Sequence, residues 1–280
     1  MRHVIAFDIG GTNMRAAIIN EELTIEQVII ESTITGSVDS FLAQIKHLIY
    51  RLDYKKYNVE AITFGVPGRV RADGFITALP NIHIENIPLA SSIFEEFGLP
   101  TFVKNDAEMA GLCEAVAGAG KDYHSAYFVT ISTGIGAAYI ENKHLKQILD
   151  EPGHTLVKYK NRYYELEQIA SGNGLVRLSA LNGVEIASAA QFFARVKEGD
   201  PLLLPVYNDW LTLISNFFNE LVNFFTPEVF ILTGGVMHSR DIFEDDLCAL
   251  VPNSKIVGAS YKQEAGLVGA AIYGLQSKGN

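Results

Sequence analysis

Short apolar runs that end in polar turns recur along the chain and predict buried strands. The clearest run, Val4 to Phe7, leads into the turn Asp8-Ile9-Gly10-Gly11-Thr12, and a second apolar run follows as far as Ile19. Apolar runs of about four to eight residues bounded by turn residues are typical of strands in a protein core. Further runs of this kind lie at residues 25–30, 59–64, 101–104 and 229–232.

Between these runs, apolar residues recur with the period of a helix. Phe41, Ile45 and Leu48 fall on one face of a helix that we expect to run from a cap near Ser37 to Leu52. Similar patterns predict helices at residues 89–97, 107–117, 175–181, 187–195, 209–225 and 265–275. Strands that alternate with helices indicate an α/β fold.

The polar turn near the start of the chain has a counterpart further on. Phe128–Ile140 aligns with Phe7–Ile19 without a gap, so both segments predict strand, turn and strand. Glycine admits backbone angles closed to other residues, and exposed turn amides with a hydroxyl suit phosphate oxygens. Asp8 at the strand end suits a hydrated Mg²⁺, which takes few carboxylates and keeps several waters. The alternative is an ordinary hairpin, because Gly-Gly is a common hairpin turn.

Two other predicted strands end in residues that could bind a ligand or act in catalysis. Gly65-Val66-Pro67-Gly68 ends a predicted strand with a turn, which is either a plain connection or the wall of a ligand site. Asp106 lies between the end of a predicted strand and the start of a predicted helix. Aspartate is a good helix N-cap, so capping is one explanation for this residue. A carboxylate at such a junction can also face a pocket, and both explanations stay open.

Composition and charge narrow the class of protein. The chain has 280 residues, 48% of them hydrophobic, which suits one large or two medium domains. A net charge of −10 argues against a nucleic-acid surface. Cys113 and Cys248 are too few for a disulfide framework. The first strand follows Met1 closely and no apolar run is long enough for a membrane span, so we expect a cytoplasmic protein without a signal peptide.

Six motifs in a fixed order resemble the ROK family of bacterial sugar kinases and repressors, within the actin/hexokinase/Hsp70 superfamily. They are Asp8-Ile9-Gly10-Gly11-Thr12, Gly65-Val66-Pro67-Gly68, Lys104-Asn105-Asp106-Ala107, Ser132-Thr133-Gly134-Ile135-Gly136, Glu151-x-Gly153-His154 and Thr233-Gly234-Gly235-Val236. The resemblance covers nearly the whole chain. It implies a two-domain, actin-like ATPase (ribonuclease H-like) α/β fold with an interdomain active-site cleft. We expect a smaller domain at residues 1–108 plus 262–280, with a returning C-terminal helix, and a larger one at residues 109–261.

The resemblance also implies the roles of individual residues. Asp106 would be the general base, and Asp8 would hold Mg²⁺, through water. The residues expected to bind ATP and its phosphates are Asp8, Gly10, Gly11, Thr12, Asn13, Ser132, Thr133, Gly134, Gly136, Gly234 and Gly235. The residues expected to bind the sugar are Gly68, Asn81, Asn105, Asp106, Glu151, His154 and Glu167. Without the resemblance, we would interpret these residues as surface carboxylates, a loop histidine or ordinary turns.

The sequence departs from the family's pattern on the sugar side. Most members carry a Cys-x-Cys-Gly-x-x-Gly-Cys segment that binds structural zinc together with the histidine of Glu-x-Gly-His. Between His154 and Glu167 this chain has no cysteine. A structural zinc site takes four ligands, usually thiolates and imidazoles, so we expect no zinc. The family's tryptophan after the matching Asn81 is also missing.

The expected function is ATP- and Mg²⁺-dependent phosphorylation of a hexose, at the 6-hydroxyl of glucose or a close relative. A kinase for an N-acetylhexosamine such as N-acetylmannosamine, or for a β-glucoside, is the first alternative. A non-catalytic sugar- or nucleotide-binding protein is the second. A repressor would need a DNA-binding segment before the first strand, where only Met1, Arg2 and His3 stand. Family members are often dimers, and the wide apolar face at residues 209–225 suits either a core or a homodimer interface.

Overall fold

The computed structural model describes residues 1–148, 151–261 and 264–277. The chain forms two compact units, one of Met1–Val116 together with the residues from Tyr261 onward, and one of Ala117–Ser260. The chain therefore passes from the first unit to the second after residue 116, whereas we expected this domain boundary after residue 108. Residues 262 and 263, at the second expected boundary, lie outside the described residues.

Groups of strands and groups of helices follow one another along the chain. The strands are β1 (His3–Ile9), β2 (Asn13–Asn20), β3 (Ile25–Ser32), β4 (Val59–Val66), β5 (Arg69–Val70), β6 (Ile76–Leu79), β7 (Ile84–Ile87), β8 (Thr101–Asn105), β9 (Ser125–Ile131), β10 (Ile135–Glu141), β11 (His144–Lys146), β12 (Leu156–Tyr159), β13 (Arg162–Glu165), β14 (Val229–Thr233) and β15 (Lys255–Gly258). The helices are α1 (Val38–Arg51), α2 (Leu89–Phe97), α3 (Asp106–Ala117), α4 (Leu166–Ala170), α5 (Gly172–Leu181), α6 (Ala189–Lys197), α7 (Leu204–Phe225), α8 (Arg240–Leu250) and α9 (Ala265–Ser277).

The two units contain main sheets of the same plan. In the first unit the strand order is β3-β2-β1-β4-β8, and in the second it is β11-β10-β9-β14-β15. In both sheets a meander of antiparallel strands is followed by strands that pair in parallel. The predicted repeat of strand, turn and strand is confirmed, because β1–β2 and β9–β10 hold equivalent places in the two sheets.

The two hairpins differ in their turns. Ile9 pairs with Met14 across the first turn, whereas Ile131 pairs with Ile135 across the second. The second turn is therefore one residue shorter. As a result, the gapless sequence alignment matches structurally equivalent residues in only one of the two strands of each hairpin. Gly65 and Val66, expected in a turn, instead continue β4, and the turn itself is formed by Pro67 and Gly68.

Local sequence explains how several helices begin and end. The Ser37 hydroxyl accepts a hydrogen bond from the Ser40 amide at the start of α1, as predicted. Gly98 takes a left-handed conformation with φ of 66° and ends α2. Helix α9 packs in the first unit, where a Cβ on Gly269 would lie 1.7 Å from the Met109 carbonyl oxygen. This close approach explains the glycines of the predicted C-terminal helix.

Each unit has its own apolar core. Phe7 and Phe64 stack at a centroid distance of 4.6 Å in the core of the first unit. In the second unit Trp210 of α7 is fully buried and donates a hydrogen bond from Nε1 to the Ala170 carbonyl at 2.9 Å. The apolar face of α7 therefore belongs mainly to a core. Among the described residues, none of the helices combines the length and the apolar composition that a membrane crossing needs.

Candidate functional site

In the first unit, the expected phosphate turn connects β1 to β2. The Gly10 amide donates to the Asn13 carbonyl at 2.8 Å, and the side chains of Thr12 and Asn13 are exposed. Neither Gly10 nor Gly11 has a left-handed φ, so the expected use of backbone angles closed to other residues was wrong. A Cβ on Gly11 would lie 3.0 Å from Cβ of Asn81. Glycine at position 11 lets the turn pack closely against Asn81. Gly11, a predicted phosphate-binding residue, therefore lies next to Asn81, a predicted sugar-binding residue.

Asp8 lies at the end of β1, beside Arg15 of β2. Its carboxylate is 4.0 Å from the Arg15 guanidinium. Burial raises the pKa of Asp8 above its ordinary value, and the positive charge of Arg15 partly offsets this effect. A Cβ on Gly266 would lie 2.8 Å from Oδ1 of Asp8, so glycine at the start of α9 leaves space for the carboxylate. Sequence reasoning identified Asp8 but missed Arg15 and Gly266.

Asp106 is the first residue of α3, and its neighbours form the helix cap. Oδ1 of Asn105 accepts from the Ala107 amide at 2.9 Å, while Oε2 of Glu108 accepts from the Asn105 amide at 3.0 Å. These reciprocal bonds resemble a capping box. Oδ1 of Asp106 also accepts from the Ala107 amide, at 2.8 Å. The cap predicted as one role of Asp106 is therefore made largely by Asn105 and Glu108.

The Asn105 side chain also fixes the turn that follows β4. Its Nδ2 donates to the Gly68 carbonyl at 3.2 Å. A Cβ on Gly68 would lie 2.2 Å from the Ala78 carbonyl oxygen, so only glycine lets this turn pack against β6. Asn105, expected to bind sugar, thus has both ends of its amide engaged inside the first unit, where it joins Gly68 to the start of α3.

In the second unit, the turn between β9 and β10 is held by a buried serine. The Ser171 hydroxyl donates to the Thr133 carbonyl at 2.8 Å and accepts from the Gly174 amide at 3.0 Å, where it caps α5. The Gly172 amide donates to the Ser132 carbonyl at 2.7 Å. Sequence reasoning did not identify Ser171 and Gly172 as residues that support the expected phosphate turn.

Glu167 joins this turn to the expected sugar-binding residues. Its Oε2 accepts from the Ile135 amide at 3.1 Å, and a Cβ on Gly134 would lie 2.6 Å from the same oxygen. Its Oε1 is 3.9 Å from Nδ1 of His154. Glycine at position 134 is therefore explained by the carboxylate that packs on it, and the phosphate turn and the histidine share one acidic neighbour.

His154 lies among three carboxylates. Its Nε2 is 3.0 Å from Oε2 of Glu151, and its Nδ1 is 2.8 Å from Oε2 of Glu165. The hydrogen bond with Glu165 is the main cause that raises the pKa of His154 above its ordinary value, with the charges of Glu167 and Glu151 adding to it against the effect of burial. Glu151, His154 and Glu167 lie together as expected, whereas Glu165 was missed.

The predicted nucleotide loop follows β14. Gly234 has φ of 101° and ψ of 174°, a backbone conformation that is nearly exclusive to glycine. A Cβ on Gly234 would also lie 2.3 Å from the Ile131 carbonyl oxygen, while none of the atoms near Gly235 would come within 4 Å of a Cβ there. The first glycine is thus required by the fold, and the second borders open space. Gly136, the remaining predicted phosphate residue, lies in β10.

The matching sheets define a two-domain α/β protein with the actin-like ATPase fold. A ROK hexokinase from Thermus thermophilus has the same fold, with a TM-score of 0.88 at 24% identity over 99% of this chain and 100% of that one. A putative N-acetylmannosamine kinase from Listeria monocytogenes has a TM-score of 0.81 at 26% identity over 99% and 100% of the two chains. The chain matches the ROK family over residues 4–276, and it belongs to that family.

Sequence relatives include kinases and repressors. An uncharacterized protein of Clostridium perfringens is 30% identical over 94% of each chain. A xylose repressor of Bacillus subtilis is 29% identical over 72% of this chain and 55% of that protein. A glucokinase of Streptomyces coelicolor is 26% identical over 95% of this chain and 96% of that one. Similarity over the full length therefore includes an enzyme of sugar phosphorylation.

Proposed function

We propose that this chain is an ATP- and Mg²⁺-dependent hexose kinase with Asp106 as its general base. The observation that carries the proposal is the construction of the start of α3. Asn105 and Glu108 make most of the cap, and Asp106 adds only a second acceptor for the Ala107 amide, so capping alone does not account for an aspartate at position 106. Full-length similarity to a glucokinase supports the 6-hydroxyl of glucose, or of a close relative, as the acceptor.

The residues of the chain meet the needs of phosphoryl transfer. Transfer of a phosphoryl group is chiefly a matter of position and of charge stabilisation. In the proposed reaction Asp106 accepts the proton of the sugar hydroxyl, and the turns at Gly10–Asn13 and Ser132–Gly134 offer backbone amides to the phosphates. The hydroxyl of Thr12 or Thr133 can add a further hydrogen bond. Gly235 offers open backbone to the adenosine end of the nucleotide.

Asp8 fits the requirement for Mg²⁺. A partly buried carboxylate that lies 4.0 Å from the Arg15 guanidinium is a suitable partner for a hydrated divalent ion, because Mg²⁺ is usually held by few carboxylates together with waters and phosphates. When bound, the ion would neutralise the charge that develops on the transferring phosphoryl group. Asp8 would hold the ion, and Arg15 would keep Asp8 ionised.

The polar groups suited to a sugar belong to both units. In the first unit they are Asn81, Asn105, Asp106 and the backbone of Gly68, and in the second they are Glu151, His154 and Glu167. Carboxylates, amides and an imidazole can hydrogen-bond to neighbouring hydroxyls, and a wrong epimer leaves such a group unpaired. We propose that Glu151, His154 and Glu167 select the sugar, since their side chains already contact one another through His154.

An N-acetylhexosamine or a β-glucoside is the second candidate substrate. Two observations favour it. The segment that follows His154 is a hairpin, β12–β13, in place of the family's cysteine segment. The chain is also similar in structure, at 26% identity, to the putative N-acetylmannosamine kinase. A reshaped wall beside the sugar-binding carboxylates is where a larger substituent would be accepted.

The test is release of ADP from ATP and Mg²⁺ across a panel of sugars. The panel contains glucose, mannose, fructose, allose, N-acetylglucosamine, N-acetylmannosamine and a β-glucoside. We expect strong release with glucose or with one close relative and little without sugar. Release with the N-acetylated sugars alone would establish the second candidate. No release, with sugar binding still detected by calorimetry, would instead identify a non-catalytic binding protein.

We also predict that the purified protein holds no tightly bound zinc. Ligand atoms of His154, Glu165 and Glu167 lie within 4.8 Å of one another, but Nδ1 of His154 already shares a hydrogen bond with Glu165 at 2.8 Å. A cation would have to displace that bond, and this set lacks the thiolates that structural zinc usually takes. Elemental analysis after dialysis without chelator should find far less than one zinc per chain. One zinc retained per chain would contradict the prediction.

A further inference from the structure

A carboxylate outside the predicted site residues contacts His154. Oε2 of Glu165 lies 2.8 Å from Nδ1 of the imidazole, a distance typical of a charge-assisted hydrogen bond. On the opposite side of the ring, Nε2 is 3.0 Å from Glu151. One ring nitrogen therefore faces Glu165, and the other faces a residue expected to bind the sugar.

Backbone contacts hold the two residues in register. Glu165 ends β13, and the amide of the next residue, Leu166, donates to the carbonyl of Thr155 at 2.8 Å. Thr155 directly follows His154. Because the neighbour of Glu165 is bonded to the neighbour of His154, the backbone keeps the two side chains within reach of each other.

The β12–β13 hairpin is itself anchored to the helices of the second unit. The Tyr159 hydroxyl donates to Oδ2 of Asp209 at 2.6 Å and accepts from Nδ2 of Asn182 at 2.7 Å. Burial, together with the hydrogen bond to Asp209, raises the pKa of Tyr159 to about 12. The hydroxyl stays protonated and keeps donating over the usual pH range. The hairpin that carries Glu165 is therefore anchored by side chains as well as by the backbone contact between Leu166 and Thr155.

We propose that Glu165 is a positioning residue that orients the His154 imidazole for sugar binding. By accepting from Nδ1, Glu165 holds the ring in the orientation in which Nε2 faces Glu151. A histidine held in one orientation loses less freedom when a sugar hydroxyl binds, so the bond improves affinity for the sugar. This role rests on the proposed function, because it assumes that His154 contacts the sugar.

The hydrogen bond between Glu165 and His154 has a consequence for pH, which tests the contact itself, while the affinity for sugar tests the positioning role. In the part of the chain that the structure describes, the charged groups within 4.0 Å of the His154 ring nitrogens are Glu165, Glu151 and Glu167. Since the folded-state pKa of His154 is raised, the ion pair with Glu165 is present at low pH and is lost as pH rises through that raised pKa. In the Glu165→Gln variant the proton should leave at lower pH.

The first experiment follows the His154 ring nitrogens by ¹⁵N NMR through a pH titration, with His154→Gln to assign the signal. We expect Glu165→Gln to lower the titration midpoint of His154. Gln168→Ala is the matched control: it removes the acceptor of the Glu165 backbone amide at 3.3 Å but leaves the Glu165 side chain in place. Its midpoint should equal that of the wild type. An unchanged midpoint in Glu165→Gln would overturn the proposal, whether or not the chain is a kinase.

The second experiment measures KM for the sugar, or Kd by calorimetry. Loss of a charge-assisted hydrogen bond predicts that KM or Kd for the sugar rises about tenfold in Glu165→Gln. The kcat should stay within about twofold of the wild-type value, because the orientation of His154 affects binding of the sugar equally before and during transfer. Glu165→Asp is a second variant that should fold, since aspartate is a good N-cap for α4 but is one methylene too short for His154. It should show the same rise.

The outcomes separate this role from the proposed function. A lowered midpoint with unchanged KM and Kd would show that Glu165 only supports the hairpin, and would overturn the positioning role. A wild type that neither turns over nor binds any sugar of the panel would defeat the proposed function and this role together. A stoichiometric divalent ion that is lost with Glu165→Gln would replace the hydrogen bond by a metal site.

Discussion

Replacing Asp106 with asparagine is expected to lower kcat by about 10²–10⁴-fold while binding of sugar and ATP is retained. The variant keeps the size of the side chain and its acceptor oxygen, so the bond from the Ala107 amide can persist. It removes the group that accepts the proton of the sugar hydroxyl, and general-base catalysis is worth about this factor. The measurement is sugar-dependent release of ADP, with calorimetry for both ligands.

Glu108→Ala is the control for this variant. Glu108 accepts from the Asn105 amide at 3.0 Å and contributes to the cap of α3. Its removal should cost about 1 kcal/mol in the free energy of unfolding, measured by urea denaturation, and should change kcat little. If Asp106→Asn lost stability like Glu108→Ala but kept most of its rate, Asp106 would serve only the start of the helix.

Much of the fold could be predicted from the sequence because the signals are local. Strands such as β1 and β9 are short apolar runs, and a serine or a glycine marks the ends of α1 and α2. The returning helix α9 was expected from the family resemblance. What local patterns did not give was pairing register, which depends on the geometry of each turn. The second hairpin is one residue shorter although the two segments align without a gap.

The site was predicted less completely than the fold, for a physical reason. Motifs identify residues, but a residue's role depends on neighbours distant in the chain. Gly11 packs closely on Asn81, and Gly134 packs closely on the Glu167 carboxylate. Glu165 looks like any other surface glutamate in the sequence, since its significance comes only from the contact with His154 that the hairpin creates.

The second prediction with a large effect concerns Gly234. Its backbone conformation, with φ of 101° and ψ of 174°, is costly for any residue with a side chain, and a Cβ would lie 2.3 Å from the Ile131 carbonyl oxygen. Gly234→Ala should therefore lower the free energy of unfolding by about 3 kcal/mol or more, from strain and overlap together. Urea denaturation measures this loss, and a stability within about 0.5 kcal/mol of the wild type would show that the loop relaxes freely.

Gly235→Ala is the matched variant, one residue away, and separates fold from binding. A Cβ at this position would have open space, and the φ of Gly235 is outside the left-handed range. We expect wild-type stability but a rise of about tenfold or more in KM for ATP, because a methyl group would occupy the space where the adenosine end is proposed to lie. KM for the sugar at saturating ATP should stay unchanged. If Gly235→Ala bound ATP normally, the nucleotide would not lie against this loop, and the glycine pair would serve the fold through Gly234 alone.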